Sequence, residues 1–376
     1  MTDFSKVINY IEETLCGSFG VPGCDIQIMR AHEVLLRKTF GTRDYEGKMP
    51  VSGNELYFLY SCTKVMTCTA ALQLVERGVL GLDDPVSRWI PAYENVFLLC
   101  DDERKAPENT MTVRHLFTMT AGLDYDMQKE PILCAAGENP EAGTMEMVAS
   151  FTKSPLCFEP GERFQYSLCH DVLAAVVEAA SGMRFSEYLK QNILEPLGIT
   201  RTGFELTAPD ALMAQFECCE PGRIREFGVK NEFKLSQNYE SGGAGLISCV
   251  EDYSLFADAL ANGGVGATGK RILRQETIDL MRSEQLSAFT KDPAFSCAAG
   301  PGYGYGLGVR TMIDRSQGQR SPIGEFGWDG AAGAYIMIDP ENQLSIFFAM
   351  HMRGWPSLIG CGHAPIRDLT YEALGL

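Results

Sequence analysis

Residues that favour strands sit near the two ends of this sequence, and residues that favour helices fill the middle. Asp25–Arg30 and Glu33–Arg43 read as two strands around a short turn. Far along the chain, Tyr303–Arg310 alternates glycine with larger residues, Gly333–Asp339 is apolar, and Leu344–His351 is strand-like, with a turn at Asp339–Asn342. Between these sets, helical periodicity recurs over Thr112–Thr118, Thr144–Phe151, Asp171–Ser181, Phe185–Ile193 and Val250–Leu260. One sheet built from both termini is therefore expected, antiparallel and flanked by helices, with a mostly helical domain inserted: an α/β fold of the α+β type. The expected division is 1–90 together with 286–376 as the sheet-and-helix domain and 91–285 as the helical one, with a ligand cleft between them.

Within that frame, Leu56–Glu76 carries the sharpest chemical signal. An aromatic run turns there into an amphipathic helix whose apolar face is marked by Val65, Ala71, Leu72 and Val75. Ser61 and Lys64 are three residues apart, so on a helix the ammonium lies beside the hydroxyl. Free backbone N–H groups and the positive end of the helix dipole would surround a Ser61 oxygen at the first turn, which suits a hydroxyl that must become an alkoxide. The pattern alone is weak, because an ordinary N-cap serine followed by a solvated lysine has the same spacing. A second copy, Ser150–Lys153, runs into Ser154-Pro155, where the proline predicts that a helix stops rather than starts.

Two further segments can complete a site. Phe158–Leu173 places Tyr166 between a turn and a helix, and a tyrosine beside a cation can act as general base; a half-buried structural tyrosine reads the same way. In Phe326–Tyr335, glycines at 327, 330 and 333 let a ligand approach the backbone closely, as would a plain glycine-rich edge strand.

In this order and spacing the three segments resemble the serine β-lactamase and penicillin-binding-protein superfamily, with its Ser-x-x-Lys, Tyr- or Ser-headed and Lys-Thr-Gly-type boxes. The resemblance is closest to class C β-lactamase-like serine hydrolases, including family VIII carboxylesterases. It spans roughly residues 20–350 and takes in Met111–Leu123, Glu195–Phe204 and Ser241–Tyr253. It implies a β-lactamase-like fold, with Ser61 as the acylated nucleophile, Lys64 as its activator and Tyr166 as the proton shuttle. The backbone N–H groups of Ser61 and Ala331 would form the oxyanion hole. Leu168 stands where the family usually has Asn, which removes an amide for an acylamido carbonyl. Trp328-Asp329-Gly330 replaces Lys-Thr-Gly, which removes the cation that holds a substrate carboxylate. Leu168, Trp328, Asp329 and Gly330 are the expected substrate-binding positions, and both departures favour neutral acyl esters. β-Lactam or D-amino-acid amide hydrolysis, acyl transfer to an acceptor other than water, and a non-catalytic ligand-binding module on the same scaffold are the alternatives.

Composition narrows the partners. A net charge of −17 with no Lys/Arg cluster argues against nucleic acid and anionic membranes, and no run of 18 apolar residues can span a bilayer. The N-terminal stretch to Leu15 reads as an amphipathic helix of the mature protein. Thirteen cysteines, an odd number without C-x-x-C spacing, several of them in apolar runs (Cys62, Cys68, Cys100, Cys249), predict reduced, buried thiols and a cytoplasmic protein. Gly264–Lys270 matches a phosphate-loop pattern in part, but it follows a helix and Arg271 occupies the Ser/Thr position, so a helix cap and loop is expected. Cys169-His170-Asp171 could suggest a thiol nucleophile or metal ligands, yet the five histidines lack ligand spacing, and no metal or cofactor is expected. No G-x-S-x-G occurs. The expected ligand is a small-molecule ester or amide, with specificity set by the loops Asp124–Gly143 and Arg282–Gly302. Nothing in the pattern speaks to an oligomeric state.

Overall fold

The structure, a computed structural model, describes residues 2–220, 222–287, 300–317, 320–355 and 357–376. Seven strands form the main sheet: β1 (Gly23–Arg30), β2 (Glu33–Gly41), β3 (Tyr303–Tyr305), β4 (Arg310–Met312), β5 (Phe326–Asp329), β6 (Tyr335–Asp339) and β7 (Leu344–Met350). Their order is β2-β1-β7-β6-β5-β4-β3, antiparallel throughout. The early hairpin meets the late strands at β1 and β7, where Cys24 lies opposite Met350 and Arg30 opposite Leu344. One sheet from both ends of the chain is thus what the strand-like runs at the two ends specify. Tyr303–Arg310, read as a single strand, is instead β3, a tight turn and the start of β4. The Gly306 N–H bonds the Val309 carbonyl at 2.8 Å, and Arg310 pairs back with Tyr305.

Strand alternation divides the core in two. Ile336, Ile338, Phe347 and Ala349 face one apolar cluster, whereas Tyr335, Met337, Ile346 and Phe348 face the other. The second face is covered by helix α1 (Ser5–Asn9), which continues in wider π-helical turns through Tyr10–Ser18, together with the C-terminal helix Ala364–Leu374; Val7, Ile11, Leu15, Ile366 and Tyr371 are its buried side chains. A sheet covered on both faces explains why β7 is buried along its whole length.

The other face carries α2 (Thr63–Glu76), α3 (Cys169–Ser181) and α4 (Val250–Ala261), with α4 lying on β1, β6 and β7. Helix α2 is not amphipathic in its setting. Thr63 to Leu74 are all buried, because α3 packs on it on one side and β5 on another. Its polar side chains donate to backbone carbonyls: Thr67 Oγ1 to Gly242 (2.7 Å), Thr69 Oγ1 to Val65 (2.8 Å) and Gln73 Nε2 to Ile272 (2.8 Å). Cys62, Cys68 and Cys249 are buried free thiols as expected, but Cys100 is exposed, because its apolar run ends in a solvent-facing hairpin of Leu98–Cys100 with Glu103–Lys105. Among the described residues no helix is long and apolar enough to cross a membrane.

Candidate active site

The site begins with a short strand and a forced turn. Tyr57 and Phe58 pair with Ser248 and Ile247, and the Leu59 N–H bonds the Leu246 carbonyl at 2.9 Å. Tyr60 then adopts a left-handed conformation, φ +46°, which is costly for a bulky side chain and persists only where surrounding structure over-determines it. Its ring is fully buried, its hydroxyl bonds the Gln215 side chain, and Phe233 packs edge-on at 5.5 Å. After this kink the chain makes a 3₁₀ turn, Tyr60–Cys62, and enters α2. Ser61 is therefore half-buried at the mouth of the helix rather than inside its first α-turn.

Lys64, one turn on, is fully buried. Its Nζ lies 3.1 Å from Ser61 Oγ, donates to the Gly243 carbonyl at 2.7 Å and reaches the Tyr125 hydroxyl at 3.3 Å. It also stands 4.8 Å from the centre of the Tyr166 ring. The Tyr166 hydroxyl accepts a hydrogen bond from the Trp328 indole at 3.2 Å. The rings of Tyr125, Tyr166 and Trp328 stack in a row, with centroids 5.5 and 5.7 Å apart. Three distant segments thus converge on one amine.

Burial works against the Lys64 ammonium, but Tyr125, Tyr166 and Asp171 outweigh it, and the affinity of Lys64 for a proton is raised. Burial pushes the Tyr125 phenol up, and Lys64 pulls it back down. A phenol attracts the ammonium as a charge only once it is ionised, so the Lys64 amine and the Tyr125 phenol titrate together. Asp171, on the first turn of α3, is held in place by hydrogen bonds. Its Oδ1 accepts from Tyr239 (2.6 Å) and Ser241 (2.5 Å), while Oδ2 has no hydrogen-bond partner among the described residues. A Cβ at Gly243 would lie 2.4 Å from that Oδ2 and 3.4 Å from Lys64 Nζ, so only glycine lets the backbone pass between carboxylate and amine.

The turn after β5 lies against the segment that leads into Ser61. Gly330 donates to the Ala334 carbonyl and Gly333 to the Gly330 carbonyl, both at 2.8 Å, which leaves Ala331 exposed at the tip. A Cβ at Gly330 would meet the Leu59 carbonyl at 2.2 Å, so this turn abuts the segment that leads into Ser61. Asp329 is half-buried and pairs with the buried Arg310 at 3.5 Å; burial raises its pKa, against Arg310 and Lys64. A cation does exist one strand away from the lost Lys-Thr-Gly lysine, but Asp329 holds it. Leu168 is buried in the core and, with Leu123, Ile132 and Phe151, lines a void of about 20 Å³ away from Lys64. Tyr125, from another loop, provides the polar group beside Lys64.

The remaining motifs resolve as structure. Ser150 Oγ donates to the Met147 carbonyl at 2.6 Å near the end of its helix. A His170 ring nitrogen lies 3.2 Å from the Phe117 carbonyl and 3.7 Å from Cys68 Sγ; burial lowers its pKa to about 3. Burial pushes the Cys169 thiol up to about 11, so it is no thiolate nucleophile. Gly264–Lys270 follows α4 and forms a turn, with Gly266 and Lys270 joined by a 2.9 Å hydrogen bond. Among the described residues no three His, Cys, Asp or Glu side chains gather to hold a metal. The Asp124–Gly143 segment contains the helix Glu130–Glu138; of the Arg282–Gly302 loop, residues 288–299 lie outside the described residues.

Sequence reasoning missed Tyr125 and Gly243, and weighed Asp171 only within Cys169-His170-Asp171, not as a neighbour of Lys64. Tyr125 carries no periodic or spacing signal, whereas Ser241–Gly243 lay in a segment already singled out without a role. Tyr125→Phe is expected to lower kcat/KM by about tenfold, the cost of one hydrogen bond to a charged group, and to shift the pH profile. An unaltered profile would remove Tyr125 from the proton-holding group.

The chain is similar to proteins of one family. The β-lactamase family matches residues 10–359. Esterase EstB of Burkholderia gladioli is 28% identical over 92% of this chain and 89% of its own, and lovastatin esterase of Penicillium rubens is 29% identical over 79% of each. The solved structure of EstCE1, a hydrolase with promiscuous acyltransferase activity, superposes with a TM-score of 0.80 at 26% identity, covering 98% of both chains. The chain belongs to the β-lactamase family and is a serine hydrolase.

Proposed function

We propose that the protein hydrolyses carboxylic esters through an acyl-enzyme on Ser61, with Lys64 and Tyr166 moving the proton. The observation that carries this reading is the buried Lys64 amine 3.1 Å from Ser61 Oγ, inside a ring of phenols. Ser61 Oγ gives its proton to the Lys64–tyrosine group as it bonds to the ester carbon. The carbonyl oxygen becomes an oxyanion that the Ser61 and Ala331 N–H groups bind. Collapse breaks the bond to the alcohol oxygen, which leaves with a proton relayed through Tyr166. Water then repeats the sequence on the acyl-enzyme and releases the acid.

The esterases among the relatives support an ester substrate, and the engagement of Arg310 by Asp329 supports a neutral one. In this reading the cleft lies between 1–90 with 286–376 and 91–285. Exposed free thiols at Cys100, Cys134, Cys157 and Cys219 fit a reducing, cytoplasmic compartment. The acyltransferase activity of EstCE1 favours transfer to an alcohol as a second activity of the same acyl-enzyme.

A panel of p-nitrophenyl esters assayed beside nitrocefin tests the substrate class. Without a cation to hold the lactam carboxylate, butyrate ester turnover is expected to exceed nitrocefin turnover by about a hundredfold in kcat/KM. Comparable values would assign the protein to β-lactams instead.

A further inference from the structure

A cavity of about 420 Å³ opens beside the catalytic group, and neither Ser61, Lys64, Tyr166 nor Trp328 lines it. Its volume is that of a small-molecule site. Phe58, Phe204, Phe233 and Ile247 wall it, and Lys230 and Lys234 stand at its edge. Phe233 is the partition, edge-on to Tyr60 at 5.5 Å on one contact and to Tyr125 at 5.7 Å on another. Val229, 64% exposed, extends the apolar surface outward at the rim.

The charges at this cavity run against the rest of the chain. In a protein of net charge −17, two exposed ammonium groups flank one apolar opening, and among the described residues neither forms an ion pair. Glu232, the acid between them, is engaged by Arg353. Aromatic walls and two free cations form a receptor for a molecule with an apolar body and one anionic end.

We propose that this cavity is a second binding site, separate from the Ser61 cleft, for an apolar carboxylic acid. The chain of the acid lies against Phe58, Phe204 and Phe233, and its carboxylate lies between Lys230 and Lys234. The acid that ester hydrolysis releases has this chemistry, but binding here does not depend on Ser61 being acylated.

Isothermal titration with sodium decanoate, below its micellar concentration, tests the site on the wild-type protein, on Ser61→Ala and on protein carrying a fluorophosphonate at Ser61. All three are expected to bind with the same Kd, whether or not the protein proves to be an esterase. Lys230→Gln with Lys234→Gln should weaken binding about tenfold, as loss of two partly solvated ion pairs does. Leu206→Trp, which fills the cavity from its rim, should weaken it further, and decyltrimethylammonium should not bind. Unchanged affinity in both variants would overturn the proposal. Loss of binding on Ser61 modification would overturn it too, by placing the acid in the catalytic cleft.

Discussion

Ser61→Ala is expected to abolish fluorophosphonate labelling and to reduce ester turnover by at least about a thousandfold, since loss of a nucleophile disables the whole catalytic unit. The fold should be unaffected, because Ser61 is only half-buried and its hydroxyl contacts the Lys64 amine, which keeps its bonds to the Gly243 carbonyl and Tyr125. Intact-mass measurement after incubation with the reagent separates the outcomes cleanly. A single adduct on the wild type and none on the variant supports the assignment. Full labelling of the alanine variant would move the nucleophile elsewhere.

The second large effect is on stability in acid. His170, His351 and His363 are buried, and burial lowers their pKa values to about 3, 4 and 3. Geometry explains why protonation is refused. His351 Nδ1 faces the Met213 carbonyl at 2.7 Å while Nε2 accepts the Phe58 N–H at 3.3 Å, so the second nitrogen has no room for a proton. Between those values and about 6.5, the ordinary histidine value, the unfolded chain binds protons that the fold rejects, and stability must fall as pH falls. Each histidine contributes about 1.4 kcal/mol per pH unit in that window, so the three together reach about 4 kcal/mol per unit. Glu178, Glu284 and Asp329, whose pKa values are raised chiefly by burial, gain protons on folding and soften the slope. Against a total stability of about 5–15 kcal/mol, this loss is a large fraction of the whole by pH 5. Guanidinium midpoints at pH 7.5, 6 and 5 are expected to drop steadily, and equal midpoints would refute protonation-linked unfolding.

The legible parts of this molecule were those with local period or local order. Short apolar, strand-like runs at Leu344–Met350 and Tyr335–Asp339 announced strands, and they are apolar throughout because successive side chains enter opposite cores. The Ser61–Lys64 spacing survived because a helix turn brings its ends together whatever surrounds it. Contacts made across the chain were not legible. Tyr125 reaches Lys64 from a loop with no pattern, and Asp171 acts through the gap left by Gly243, a relation between residues on separate segments. The α2 helix misled for a related reason: its threonines and glutamine look solvent-facing until the carbonyls that receive them are in place.

The splice between β1 and β7 carries a consequence for biosynthesis. Strand β1 has to wait for a partner made roughly three hundred residues later, which at about 5–20 residues per second means a delay of tens of seconds on the ribosome. Until then the inner edge of the first hairpin is open, with Ile26 and Ile28 beside unmatched amides, a template for pairing with another nascent chain. Yield in a cell should therefore depend on elongation speed and chaperone supply as much as on the equilibrium stability of the finished protein.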